Sequence, residues 1–153
     1  MTRNHSARCH QAGVGMLEVL IAVLIVSIGF LGMAALHARA LSTNNSAMAR
    51  SMATVASYSI LDAMRVDRNA AMAGAYNTTV SADGCAAGGG SLSSAQLGQW
   101  CQELGAALGA TDSTTGTIAC GNTGICTVTI QFDDTRAGAG GSDKQQVTTR
   151  AAL

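Results

Sequence analysis

The sequence has no proline, few aromatic residues and few charges. Because proline is absent, nothing forces a kink or break in a helical stretch, and turns depend on Gly, Asn, Asp and Ser. Aromatic residues make up only 3% of the 153 residues, with a single Trp, so any globular core is modest. Lys and Arg together number 9 and so do Asp and Glu, which leaves no basic field for binding nucleic acid. The length suits one compact domain plus an appendage.

A long apolar run lies near the N-terminus. It covers the 18 residues 19–36, interrupted only by Ser27 and small glycines, and residues 14–17 extend it enough to span a membrane. Residues 1–13 include Arg3 and Arg8 and no acidic residue, so the positive-inside rule predicts that they lie in the cytoplasm and the remainder outside. One carboxylate, Glu18, stands at the start of the run, although a charge there costs about 2.5–3.5 kcal/mol.

Two ordinary explanations compete for this run. Residues 38–40 have the A-x-A pattern of a signal-peptidase site, but the apolar part of a cleaved secretory signal is typically about 7–15 residues long. A plain membrane anchor accounts for the length of the run and gives no reason for Glu18.

Gly13 and Glu18 together form a more specific pattern. A short basic leader ending in Gly13, then Val-Gly-Met-Leu-Glu and an unbroken apolar helix, resembles the class III signal of type IV pilins and pseudopilins. The resemblance implies that a membrane aspartic peptidase cuts between Gly13 and Val14, where the family usually has Phe, and that the new amine of Val14 is methylated. It makes Glu18 the carboxylate that guides filament assembly.

The position of Glu18 agrees with this role. Four helical steps from the new N-terminus are about 6 Å along the axis, so the carboxylate would lie near the membrane boundary and near the positive end of the helix dipole. The α-amine of a neighbouring subunit would lower the cost of both charges in an apolar medium. Cleavage is required because it creates this amine.

A single helix is predicted from Val14 to about Val66. Beyond the apolar run its pattern is amphipathic, and we expect a loose apolar stripe to pack on a small domain. Leu41, Met48 and Val55 fall at steps of seven, and the stripe consists of Met48, Met52, Val55, Leu61 and Met64. Its methionines are interpreted as core residues and not as metal or cofactor ligands.

The end of this helix adds to the resemblance. A D-x-M-R-x-x-R run from Asp62 to Arg68, followed by alanines and a Gly-Ala-Tyr at 74–76, is similar to the helix end in the PilV family of type IV pilus minor pilins. Asp62 and Arg65 have the i,i+3 spacing of an ion pair on a helix surface.

From residue 76 the composition shifts to Gly, Ser and Thr. A helix is predicted over residues 93–108, with Trp100 as the aromatic core residue. Strands are predicted over 117–120 and 125–132, joined by a hairpin turn, with a last strand over 145–149. This order also resembles the heads of PilV proteins.

The loops of this region carry no clear chemistry. Residues 88–90 and 138–141 are glycine-rich and are expected to be flexible, and they lack the Lys-Ser/Thr of a phosphate-binding loop. Asp133 and Asp134 end a strand and are assigned to a turn in preference to a calcium site. His37 is too isolated to indicate catalysis, and no Ser-His-Asp or paired-carboxylate site is indicated by spacing.

The five cysteines fall into two groups. Cys9 lies in the leader and would face a reducing cytoplasm, whereas the other four lie beyond the membrane, where disulfides persist. Four cysteines allow three pairings, of which we favour Cys85–Cys101 and Cys120–Cys126. No C-x-x-C pair is present, which argues against zinc.

The resulting fold prediction is α+β, with a long N-terminal helix packed on a small antiparallel sheet. Four segments are expected: a cleaved leader (1–13), a transmembrane and filament-core helix (14–36), an amphipathic half-helix (37–72) and a periplasmic head (73–153). Loss of the leader would leave seven basic and nine acidic residues, which disfavours DNA binding.

The resemblance implies a minor type IV pilin, a structural subunit that is not an enzyme, uses no cofactor or metal and helps to prime or complete pilus assembly. Its implied partners are other minor pilins, the major pilin, the prepilin peptidase, which also methylates, and the assembly platform of the bacterial inner membrane. The chain would cross that membrane once before assembly and lie in the surface pilus afterwards. The rivals are a minor pseudopilin of type II secretion and a pilus-tip adhesion module.

Overall fold

A computed structural model describes Gly13, residues 15–86 and residues 88–153. The chain divides into two compact units, Met1–Arg39 and Ala40–Leu153. Helix α1 (Met16–Val66) begins in the first unit and ends in the second. This division falls three residues beyond the expected end of the filament-core helix.

Among the described residues, the second unit contains all the other elements. After α1 come two helices, α2 (Arg68–Met72) and α3 (Leu92–Leu108), and a short 3₁₀ segment (Thr135–Gly140). The four strands are β1 (Thr78–Ser81), β2 (Thr115–Cys120), β3 (Ile125–Phe132) and β4 (Gln145–Ala152). The predicted α+β class is confirmed: the helix packs on a small antiparallel sheet.

The sheet is a four-stranded antiparallel meander in the order β1-β2-β3-β4. Strand β3 has the alternation that its sequence predicts, because Cys126, Val128, Ile130 and Phe132 are buried while the residues between them are less so. The sheet therefore has one face on the core and one polar face toward water.

A row of four threonines crosses the polar face. The register places Thr79 opposite Thr117, Thr117 opposite Thr129, and Thr129 opposite Thr148. The hydroxyl oxygens of the two outer pairs lie 3.0 and 3.4 Å apart, so each pair shares a hydrogen bond. Cross-strand hydroxyl pairs of this kind contribute to strand pairing.

The predicted helix at 93–108 and the predicted hairpin are confirmed within a residue or two. Ser91 caps α3, since its hydroxyl accepts a hydrogen bond from the Ser94 amide while the Ser94 hydroxyl accepts one from the Ser91 amide. The turn between β2 and β3 requires Gly124, whose φ of 76° is rarely adopted by other residues.

Two features were not predicted. Strand β1 was missed because it has only four residues and one large apolar side chain, Val80. The glycine-rich loops, expected to be flexible, contain close contacts: a Cβ on Gly88 would lie 2.6 Å from Ala95 Cα, and one on Gly141 would lie 2.0 Å from the Asp134 carbonyl oxygen.

Candidate functional site

The start of α1 places Glu18 in its first turn. The amides of Glu18 and Val19 both donate to the carbonyl oxygen of Gly15, at 2.9 and 3.3 Å, and so begin the helix. The Glu18 side chain is exposed, and within the described part of the chain no cation pairs with it. Within the described residues, the negative charge of Glu18 is stabilised only by the partial positive charge of the helix N-terminus.

The predicted processing site lies mostly outside the described residues. Gly13 is described and exposed. Val14, the predicted methylated residue, and residues 1–12, which include Cys9, lie outside them. Cleavage and methylation therefore stay predictions.

The apolar part of α1 is uncovered in this chain. Every large apolar side chain from Met16 to Leu36 is at least 50% exposed, and the most apolar 18-residue window is 0% buried. By length and composition, α1 is a candidate membrane span. The one hydroxyl within the run, that of Ser27, donates to the Val23 carbonyl at 2.7 Å, so it needs no water.

The predicted apolar stripe on the second half of α1 is wrong for three of its five residues. Leu61 and Met64 are buried as expected. Met48, Met52 and Val55 are exposed instead, and so is Leu41.

Small residues explain this correction. The buried residues of α1 upstream of Ile60 are all small, which allows the helix to approach the head closely; they are Ser46, Ala53, Ala56 and Ser57. The larger side chains therefore lie on the other side of the helix. Leu41, Met48 and Val55, at steps of seven, form what we call the outer stripe.

Asp134 fixes the β3–β4 loop to α1, a role that sequence reasoning missed. The Asp134 carboxylate is 5% exposed, accepts a hydrogen bond from the Ser46 hydroxyl at 2.5 Å and lies 3.7 Å from the Arg50 guanidinium. One turn earlier, the Ser42 hydroxyl donates to the Arg136 carbonyl at 2.6 Å. The available signal was the Ser42, Ser46 and Arg50 series at steps of four on one helix face.

Asp133 behaves as the turn residue that was predicted. Its carboxylate accepts a hydrogen bond from the Thr135 amide at 2.8 Å, and this bond lowers the pKa of Asp133. In the described part of the chain, no three His, Cys, Asp or Glu side chains gather as metal ligands.

Tyr76 joins the end of α1 to α3. Its buried hydroxyl is within hydrogen-bond distance of the Asp67 carboxylate, at 3.1 Å, and of the Gln96 amide oxygen. Burial, followed by the hydrogen bond to Asp67, raises the pKa of Tyr76 to about 12. The Gly-x-Tyr of the helix end thus has a structural role.

Both favoured disulfides are present. Cys85 and Cys101 join the loop after β1 to α3, with Cα atoms 5.6 Å apart. Cys120 and Cys126 join β2 to β3 next to the hairpin turn, with Cα atoms 4.0 Å apart. The predicted Asp62–Arg65 ion pair is also present.

Compared with protein-family models, with curated proteins and with solved structures, this chain has no match.

Proposed function

We propose that this protein is a minor type IV pilin of the PilV kind. It would be held in the inner membrane by the apolar part of α1 and then enter a pilus. The observation that carries the proposal is the uncovered apolar helix with Glu18 in its first turn. A filament core built from such helices would bury this surface and supply the carboxylate with a partner.

The partner of Glu18 would be the α-amine that cleavage creates. A peptidase cut after Gly13 would place the methylated amine of Val14 about 6 Å along the helix from Glu18. That amine on a neighbouring subunit would form an ion pair with Glu18 and set the axial register of the two helices. The pair would be strong because the surrounding medium is apolar.

The outer stripe supports assembly beyond the membrane. Burying a Leu, Met or Val side chain stabilises an interface by about 1.5–3 kcal/mol. Leu41, Met48 and Val55 gain less than half of this in the isolated chain, because they are 59–65% exposed. Their seven-residue spacing suits contact with another helix, so the stripe is assigned to neighbouring pilins.

The two disulfides suit the head to the periplasm and the cell surface. The two disulfides require an oxidising compartment. The head would project from the filament and contact other minor pilins and the major pilin. Such a subunit needs no cofactor, since its function is assembly.

A paired substitution tests the role of Glu18. Glu18→Ala should leave cleavage after Gly13 intact and reduce the protein in sheared filaments at least tenfold. Asp112→Ala, which removes an exposed carboxylate from the loop between α3 and β2, is the control and should enter filaments normally. Equal incorporation of Glu18→Ala and wild type would refute the pairing role.

Deletion of the protein separates a pilin from a pseudopilin. Loss of surface pili with normal protein secretion is the expected result. Loss of secretion with normal pili would move the assignment to a type II secretion pseudopilin.

A further inference from the structure

We propose that the outer edge of β4 is a strand-pairing site. It would take an extended segment of another polypeptide, with a carboxylate that faces Arg150. This inference goes beyond the proposed function and holds whether or not the partner is a pilin.

The direction of the β4 backbone groups follows from one hydrogen bond. The Leu153 amide donates to the Gly124 carbonyl, 2.9 Å away, and the register places these two residues directly opposite each other. Hydrogen-bonded and non-bonded pairs alternate along an antiparallel ladder. Val147, Thr149 and Ala151 are therefore bonded to β3, while the backbone groups of the residues between them point away from it.

A second hydrogen bond leads to the same assignment of bonded and outward residues in β4. The Gly121 amide donates to the Ile125 carbonyl at 2.9 Å, which makes Cys120 and Cys126 a non-bonded pair between β2 and β3. Such pairs are the closer kind, and their Cα separation of 4.0 Å agrees. Cys126 must then bond to Ala151 on its other side, as the first argument requires.

The outward residues of β4 form a long open edge. They are Gln146, Thr148, Arg150 and Ala152, and all four are exposed. Among the described residues, the only hydrogen bond to the outward backbone groups of this edge is from the Gln145 side chain to the Gln146 carbonyl, at 3.3 Å. Unpaired amide and carbonyl groups in a row are a template for another strand.

The opposite edge of the sheet differs. Strand β1 has four residues, and its last carbonyl, that of Ser81, accepts a hydrogen bond from the Gly84 amide at 3.1 Å. The chain then turns across this end to the Cys85–Cys101 disulfide. One edge of the sheet is thus short and closed by its own loop, whereas the other has eight residues.

Two usual protections of an edge strand, a proline and a bulge, are lacking in β4. It contains no proline, and its register with β3 runs unbroken from Gln145 to Ala152, without a bulge. Its side chains are polar or small, so the edge does not favour indiscriminate apolar association.

Charge selects among extended segments. Arg150 is the one charged residue of β4, and no acidic side chain of the described chain pairs with it. A carboxylate opposite Arg150 would therefore strengthen pairing, and a cation opposite it would oppose pairing.

Amide hydrogen exchange tests the site in the full chain. Exchange is measured by residue-resolved mass spectrometry on protein purified in detergent and on the membrane and filament fraction of cells that express it. We expect the Thr148 and Arg150 amides to exchange quickly in detergent and at least tenfold more slowly in the cell fraction. The Thr149 and Ala151 amides should be slow in both, so general shielding would not reproduce the pattern. Equal exchange of Thr148 and Arg150 in the two samples would overturn the proposal.

Two substitutions test the mechanism. Thr148→Pro removes an amide that points away from β3 and leaves the hydrogen bonds between β3 and β4 intact. The free energy of unfolding should therefore stay unchanged, whereas the Arg150 amide should lose its protection in the cell fraction. Thr148→Ala is the control and should keep that protection. Arg150→Glu leaves the backbone intact and serves if the proline variant fails to fold. It should abolish protection of the Thr148 amide, and unchanged protection would refute the predicted carboxylate. Because none of these readouts requires pili, they are independent of the pilin assignment.

Discussion

The Trp100 indole Nε1 donates a hydrogen bond to the carbonyl oxygen of Ala56, 2.9 Å away. This bond ties α3 to α1 and satisfies the one polar atom of a side chain that is 2% exposed. The same ring lies against Gly116 of β2. Three elements of the head therefore meet at the only Trp in the chain, whose fluorescence reports on that contact.

Gly116→Ala should destabilise the head by about 1–3 kcal/mol, because it overpacks this contact. An added Cβ would lie 2.4 Å from the Trp100 ring and 2.7 Å from Leu104 Cδ1. The cost of these close contacts is larger than the stabilisation that Ala gains over Gly within a strand. Urea unfolding followed by Trp100 fluorescence measures the effect. Gly84→Ala, where a Cβ meets no atom within 4 Å, is the control, and an equal effect there would contradict the account.

Asp134→Ala should lower the free energy of unfolding by about 1–3 kcal/mol, because it leaves the buried Ser46 hydroxyl unpaired. Asp133→Ala removes an exposed carboxylate from the same turn and should cost less. A double-mutant cycle of Ser46→Ala and Asp134→Ala should give a coupling energy above about 0.5 kcal/mol. Simple additivity would show that the two side chains stabilise the fold independently.

The raised pKa of Tyr76 predicts that stability falls at high pH. Between pH 10 and about 12 the folded chain keeps a proton that the unfolded chain has lost, so ionisation favours unfolding. Stability from this group is complete below pH 10 and should fall by at most about 1.4 kcal/mol per pH unit above it. Urea unfolding at pH 8 and pH 11 measures the loss.

Tyrosinate absorbance provides the control for this prediction. The chain has two tyrosines, and Tyr58 is 52% exposed. Wild type should show a tyrosinate step near pH 12, and Tyr76→Phe should remove that step. Absence of a step near pH 12 in wild type would contradict the predicted burial effect.

The sequence was sufficient to predict the elements whose own side chains show the periodicity of a strand or a helix. Alternation in β3 and the leucines and Trp100 of α3 are local signals, and cysteine pairing followed from the hairpin that brings Cys120 to Cys126. β1 was missed because its pairing with β2 is set by long-range contacts and not by its own composition.

The error on α1 has a different cause. Hydrophobic periodicity weighs large apolar residues, so it favoured Met48 and Val55 over Ala53 and Ala56 as the packing face. Close helix approach instead selects small residues. The Ser46–Asp134 contact joins positions 88 residues apart, so the polar series on α1 indicates a contact face without indicating Asp134 as the partner.

Val55→Asp should keep the protein out of sheared filaments without unfolding it. Val55 is 63% exposed, so a charge there costs the isolated chain less than about 0.5 kcal/mol, but it would be buried in the proposed helix contact. Gln102→Asp adds the same charge at an exposed residue of α3, away from the outer stripe. Filament immunoblots and thermal unfolding of both variants make the comparison; equal incorporation would remove the outer stripe from the assembly surface.

The intact mass of the protein isolated from its native membrane tests the central claim most directly. Gly13, Glu18 and the uncovered helix predict a chain that begins at Val14 and carries one methyl group. A mass that fits a chain beginning at Met1 would indicate an uncleaved anchor. A mass that fits a chain beginning at Leu41 would indicate a secretory signal cleaved after Ala40. Either result would contradict the assignment to the type IV pilins.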